Sequence, residues 1–136
     1  MRAIAAKANN ILSWIMFLGA NVAIFLIALS VFGAAPREVH AAGGLLIWLI
    51  SLLNLIAALI ARTSWLNVGI SLLTALLIMP VQGILVHTEF PFPAINALHA
   101  ANGLAILYLS YFLANGRAKA TFEAPESAPA AAPATD

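Results

Sequence analysis

Residues 40–61 read HAAGGLLIWLISLLNLIAALIA, and from Ala41 onward this stretch contains no Asp, Glu, Lys or Arg. A helix of that length rises about 30 Å, the thickness of the hydrocarbon layer of a bilayer. Its eleven Leu and Ile residues contribute roughly −3 to −7 kcal/mol toward insertion, which outweighs the cost of Ser51 and Asn54. Three further charge-free stretches of similar length cover residues 11–33, 65–87 and 94–115. The pattern predicts an all-α integral membrane protein, a bundle of four transmembrane helices. Composition agrees: 63% of the 136 residues are apolar and 8% are charged, against about 25% charged in a soluble domain.

Residues 1–10 read as a cytoplasmic N-terminus, residues 11–117 as the four-helix domain, and residues 118–136, rich in Ala and Pro, as a disordered cytoplasmic tail. The first stretch is longer than the roughly 7 to 15 apolar residues of a signal peptide, so it is expected to stay in the protein. Arg2, Lys7, Arg62, Arg117 and Lys119 fall on one side of the predicted topology and only Arg37 on the other. By the positive-inside rule both termini are cytoplasmic, and the loops around Arg37 and His87 lie outside. A net charge of +1 offers no field for nucleic acid. The lipid bilayer is the first partner, with a larger membrane complex or a second copy as further candidates. With no cysteine, disulfides, thiolate metal sites and haem attachment through CxxCH are excluded.

Shifted by 59 residues, His40-Ala-Ala-Gly-Gly-Leu-Leu-Ile47 falls on His99-Ala-Ala-Asn-Gly-Leu-Ala-Ile106, and Ser51 falls on Ser110. The His, Gly and Ser matches carry weight, because Leu and Ala matches are cheap in so apolar a chain. A weaker register at 61 residues pairs Ser13 with Thr74 and Asn21 with Gln82. Together these predict two parallel hairpin repeats related by a pseudo-twofold axis along the membrane normal. At 3.6 residues per turn, His40, Gly44, Ile47, Ser51, Asn54 and Ala58 lie within about 40° of one line. His99, Gly103, Ile106 and Ser110 form the matching line. Small and polar residues turn toward the bundle in lipid, so both imidazoles are expected to face inward, within a turn of the outer surface.

Two facing imidazoles suit a b-type haem, with Gly44 and Gly103 leaving room for the macrocycle and Arg37 placed to pair with a propionate. His87 has no counterpart in the repeat. It is the weaker metal-ligand candidate, joined to Glu38 and Glu89 in a divalent-metal alternative that fits no recognised motif. The bland reading makes the histidines structural, hydrogen-bonded across helices in a cofactor-free accessory subunit. Asn21, Ser51, Asn54, Gln82, Asn102 and Ser110 read as interhelical polar contacts, with a quinone site as the functional version of the amides. Pro80 should free a carbonyl near residue 76 and kink its helix. No nucleophile set, phosphate loop or intramembrane carboxylate is present, which favours an electron carrier or accessory subunit over a catalyst.

His-x-x-x-Gly at His40 and His99, Gln82, and Leu98-His99-Ala-Ala-Asn102-Gly103-Leu104 resemble a family of small four-helix bacterial membrane proteins of unknown function. The resemblance covers residues 8 to about 117, and Asn21 stands where that family more often has Gln. More distantly, the chain is similar to one half of haem A synthase and to the b561-type cytochromes. That resemblance implies bis-histidine haem ligation without the synthase's chemistry, whose acidic and additional histidine residues are missing here. The function expected is a haem b membrane protein in electron transfer or a small subunit of a redox complex.

Overall fold

The computed structural model describes residues 1–88 and 91–116, and every element in them is helical. Helix α1 spans Arg2–Val31, α2 spans Arg37–Ala61, and α3 spans Trp65–Leu76. A π-helical turn, Leu77–Val81, joins α3 to α4, Gln82–His87, and α5 spans Pro93–Ala114. α3, the π turn and α4 together form one long apolar helix, so four helices are long and apolar enough to cross a membrane. This is the signature of a multi-pass membrane protein. The predicted tail, with Arg117, Lys119 and Glu89, lies outside the described residues.

The helices outrun the charge-free stretches at their starts. α1 begins at Arg2 rather than Ile11, and α2 at Arg37 rather than Ala41. Charge limits burial in hydrocarbon but not backbone hydrogen bonding, so a helix continues past the layer it crosses. Pro36 supplies the extended N-cap of α2, and its fixed φ makes it a natural start signal. The Ser64 hydroxyl caps α3 by accepting from the Asn67 amide at 3.2 Å. Gly33 closes α1 at φ +72°, with the Ala34 amide donating back to Leu29 at 2.8 Å, a left-handed position that glycine occupies without strain. Arg62 takes the same region at φ 54° in the tight turn from α2 to α3.

α1 packs beside α2 and α5, α2 beside α3, and α5 against the whole third span. The helices therefore ring a square. Among the described residues α1 and α3, and likewise α2 and α5, sit on its diagonals with no close backbone approach, and α2 does not touch α4. From the tight turn at Arg62 the second and third spans thus diverge toward their far ends.

Burial is the inverse of a soluble bundle. Asn9, Ser13, Ser51, Asn54, Asn67, Ser71, Thr74 and Ser110 are fully buried, while Leu18, Phe25, Leu46, Leu53, Leu73 and Leu104 point outward. An apolar girdle around a polar interior is what hydrocarbon solvent favours, because outward leucine costs nothing there and a polar group needs a partner. The two predicted inward lines are the buried ones: Ile47, Ser51, Asn54 and Ala58 on α2, Ile106 and Ser110 on α5.

Close approach of α1 and α2 occurs at Gly19, where a Cβ would lie 3.1 Å from Ile47 Cγ1. Overpacking of this kind typically costs about 1–3 kcal/mol. We expect Gly19→Val to lower resistance to unfolding in a detergent titration by that amount. Gly69→Val, at a position open to at least 4 Å, should change it by less than about 0.5 kcal/mol.

Candidate functional site

Among the described residues, hydrogen-bonded or stacked polar side chains cross the two diagonals at opposite ends of the bundle. At the end holding the α2 to α3 turn, Asn67 Nδ2 donates across the α1/α3 diagonal to Asn9 Oδ1 at 3.1 Å. Asn9 Nδ2 donates in turn to Asn54 Oδ1 at 2.8 Å and to the Asn54 carbonyl at 3.2 Å. The Asn54 amide reaches Ser71 Oγ at 3.3 Å, and Ser13 Oγ reaches Asn54 Oδ1 at 3.3 Å. Three helices are locked by this one buried network. Sequence reading anticipated Asn54 but neither Asn9 nor Asn67.

At the opposite end the α2/α5 diagonal is bridged by His40 and His99, whose ring centres are 6.3 Å apart with planes at 73°. The expected pair therefore exists. His40 follows one turn after the start of α2, whereas His99 lies almost two turns into α5, which begins at Pro93. His40 Nδ1 sits 2.9 Å from the Ala23 carbonyl oxygen. A carbonyl only accepts, so this nitrogen carries the hydrogen and a neutral His40 keeps its free lone pair on Nε2. His99 Nδ1 is buried without a hydrogen-bond partner.

The two rings share a cavity of about 590 Å³, bounded by α1, α2, α5 and the third span. Its inner limit is the cluster Ile47, Ile78 and Ile106, and its volume is in the range of small-molecule and cofactor pockets. At Gly44 and Gly83 an added Cβ would have nothing within 4 Å, and at Gly103 only Gln82 Nε2 comes that near, at 3.9 Å. These glycines keep space open in the cavity instead of letting helices close on each other.

The wall formed by the third span owes its shape to the π turn. Pro80 lacks an amide hydrogen, and the Gln82 amide bonds back to the Leu77 carbonyl across the widened turn. That same carbonyl accepts from Asn102 Nδ2 at 3.0 Å. The expected local disruption is thus a π turn whose carbonyl at residue 77, one beyond the expected position, receives an amide from α5. An inserted residue rotates everything after it by about 100°, and Gln82 and Gly83 both line the cavity as a result.

Other predicted site residues fall differently. Arg37 is exposed on the first turn of α2 and is not among the cavity-lining residues. His87 is exposed at the end of α4 yet lines the cavity, and no group of three His, Cys, Asp or Glu capable of holding a metal occurs among the described residues. Asn21 is exposed and bonds to the Phe17 carbonyl of its own helix at 2.8 Å. Ser51 likewise bonds within α2, to the Trp48 carbonyl at 2.6 Å. Ser110 Oγ and Gln82 Oε1 are buried without partners. Only Asn54 and Asn102, of the six expected interhelical contacts, donate or accept across helices.

Gly44→Leu and Gly103→Leu test the cavity directly. Each side chain would enter open space, so fold stability should change by less than about 1 kcal/mol in detergent unfolding, while a ligand in the cavity should be displaced. No family model matches the chain, and no curated protein or solved structure shows significant similarity to it.

Proposed function

We propose that this is a multi-pass protein of the bacterial inner membrane, with both termini cytoplasmic, that holds a b-type haem between His40 and His99. Its role is electron transfer, alone or as a small subunit of a redox complex. The observation that carries this reading is the separation of the two rings. An iron bound by two imidazoles has each nitrogen about 2 Å away and each ring centre about 1.1 Å further, so the centres stand about 6 Å apart. The 6.3 Å between His40 and His99 fits that requirement.

Three further features favour the same reading. The Ala23 contact directs the Nε2 lone pair of His40 to be the ligating one, which is how a carbonyl orients a metal-binding imidazole. Gly44, Gly83 and Gly103 leave a cradle that added methyl groups would narrow. Among the described residues no hydrogen bond engages Nε2 of either ring, so both of these nitrogens stay available to a metal.

When bound, the haem supplies reversible one-electron oxidation and reduction. His40 and His99 would hold its iron, and Ile24, Ile27, Ile47, Ile78 and Ile106 would give it an apolar lining. Two histidine ligands would favour electron transfer over oxygen chemistry. The motif-level resemblance to b561-type cytochromes and to one half of haem A synthase, and the recurrence of His, Gly and Ser at an offset of 59 residues, are in keeping with this reading.

A reduced-minus-oxidised absorption spectrum of protein purified after expression with ample haem tests the proposal. Sharp Soret and α bands of a six-coordinate low-spin haem are expected, and they should be lost in Gly44→Leu and Gly103→Leu. Their absence from the wild-type protein would leave the cofactor-free accessory subunit as the better reading.

A further inference from the structure

Two buried polar atoms without partners, Gln82 Oε1 and His99 Nδ1, sit at one level of the cavity on neighbouring elements. Two side-chain bonds set that level. Asn102 Nδ2 donates to the Leu77 carbonyl and Asn96 Nδ2 to the Leu85 carbonyl, each at 3.0 Å. Asn96 and Asn102 flank His99 by three residues on either side, while Leu77 and Leu85 flank Gln82. In an antiparallel pair these ties bring Gln82 opposite His99. The carboxamide also reaches toward α5, since Gln82 Nε2 is the group nearest to a Cβ at Gly103, one turn after His99.

One of these atoms can donate and the other only accepts. Leaving both unmet costs roughly 1–3 kcal/mol each, and a hydrogen bond between them, direct or through one water, would relieve both. We propose that Gln82 is the positioning residue of His99: its Oε1 accepts the His99 Nδ1 hydrogen and so orients the ring and exposes Nε2, as the Ala23 carbonyl does for His40. The consequence for iron rests on the haem reading above. The hydrogen bond itself does not.

The two ligands are then held by unlike partners. Ala23 contributes a backbone carbonyl that no substitution removes, whereas Gln82 is a side chain placed in the cavity by the π turn. The His99 side is therefore where the chain adjusts ligand basicity. A stronger acceptor on Nδ1 makes the imidazole a better donor to iron and favours the oxidised state, and loss of the acceptor favours the reduced state.

Two measurements test this independently. In ¹⁵N-histidine NMR of haem-free protein in detergent, His99 should be a single tautomer protonated at Nδ1 in wild type, and a mixture in Gln82→Leu. A mixture in wild type, or an unchanged tautomer in Gln82→Leu, overturns the inference whether or not haem binds. In haem-loaded protein, Gln82→Leu should bind haem about 10-fold more weakly and raise the reduced fraction at fixed ambient potential. Gln82→Glu should raise the oxidised fraction instead. Shifts in the same direction, or none, would refute the positioning role while leaving bis-histidine ligation intact. Absence of haem bands from wild type would end the haem reading and leave the NMR result to decide the hydrogen bond.

Discussion

His40→Ala and His99→Ala should each remove the low-spin haem bands, while His87→Ala keeps them. On the proposed reading the first two each take away a ligand of the haem iron. Loss of an outer-shell partner alone typically lowers metal affinity 10- to 100-fold, so loss of a ligand should exceed about 100-fold and leave no haem after purification. His87 lines the cavity but is exposed at the end of α4, and no third ligand group forms around it among the described residues. The measurement is the reduced-minus-oxidised spectrum with haem content by pyridine haemochrome. Bands persisting in His99→Ala but vanishing in His87→Ala would reassign the ligand.

The same variants separate binding from folding. Removing His99 takes away no hydrogen bond beyond the one proposed with Gln82, worth about 0.5–1.5 kcal/mol. The void it leaves adjoins a cavity that is already present. Haem-free His99→Ala should therefore unfold within about 2 kcal/mol of haem-free wild type. His40→Ala leaves the Ala23 carbonyl without its donor and should be the less stable of the two. A haem-free His99→Ala protein that fails to fold would mean that the ring is structural.

How much of this was visible in the chain depended on the signal each residue left. Four helices were legible because hydrocarbon thickness demands long charge-free runs, and the histidine pair because His, Gly and Ser repeat at one offset. The starts of α1 and α2 were not, since the apolar runs begin at Ile11 and Ala41, after the polar residues Asn10 and His40, although the helices begin earlier. Asn9 was hidden for the same reason: it precedes the apolar run and reads as part of a solvated terminus. Yet Asn9-x-x-x-Ser13 recurs as Asn67-x-x-x-Ser71, an offset of 58 residues, and both pairs join one network. The offset of 61 aligned Ser13 with Thr74 instead and gave prominence to Asn21, whose amide serves only its own helix. The role of Gln82 depended on the π turn, which adds a residue that a regular 3.6-residue count does not include.

Asn54→Leu should destabilise the fold more than any other single change at the end of the bundle opposite the histidines. Asn54 accepts from Asn9 through both its side chain and its backbone carbonyl, accepts from Ser13, and donates to Ser71. Single interhelical hydrogen bonds in membrane proteins average only about 0.6 kcal/mol, because the unfolded chain in a bilayer finds other partners. Three side-chain bonds at that average come to roughly 2 kcal/mol, and leucine must also be fitted where a smaller amide is fully enclosed, at about 1–3 kcal/mol. We therefore expect a loss of about 3–5 kcal/mol in a detergent unfolding titration. Asn9→Ala and Asn54→Ala together should cost less than the sum of the two alone by about 0.5–2 kcal/mol, the mark of residues acting in one network. Strict additivity would show that the amides fill space rather than lock α1, α2 and α3 together. Because this lock lies at the opposite end from His40 and His99, the bundle can hold its fold while its other end keeps a glycine-lined cavity open. On the proposed reading, which needs unfilled volume at one end, the chain gains from concentrating its specific interactions at the other. Haem-loaded Asn54→Leu should accordingly keep the band positions of wild type while unfolding at lower denaturant, and a shift in those bands would mean that the two ends are coupled.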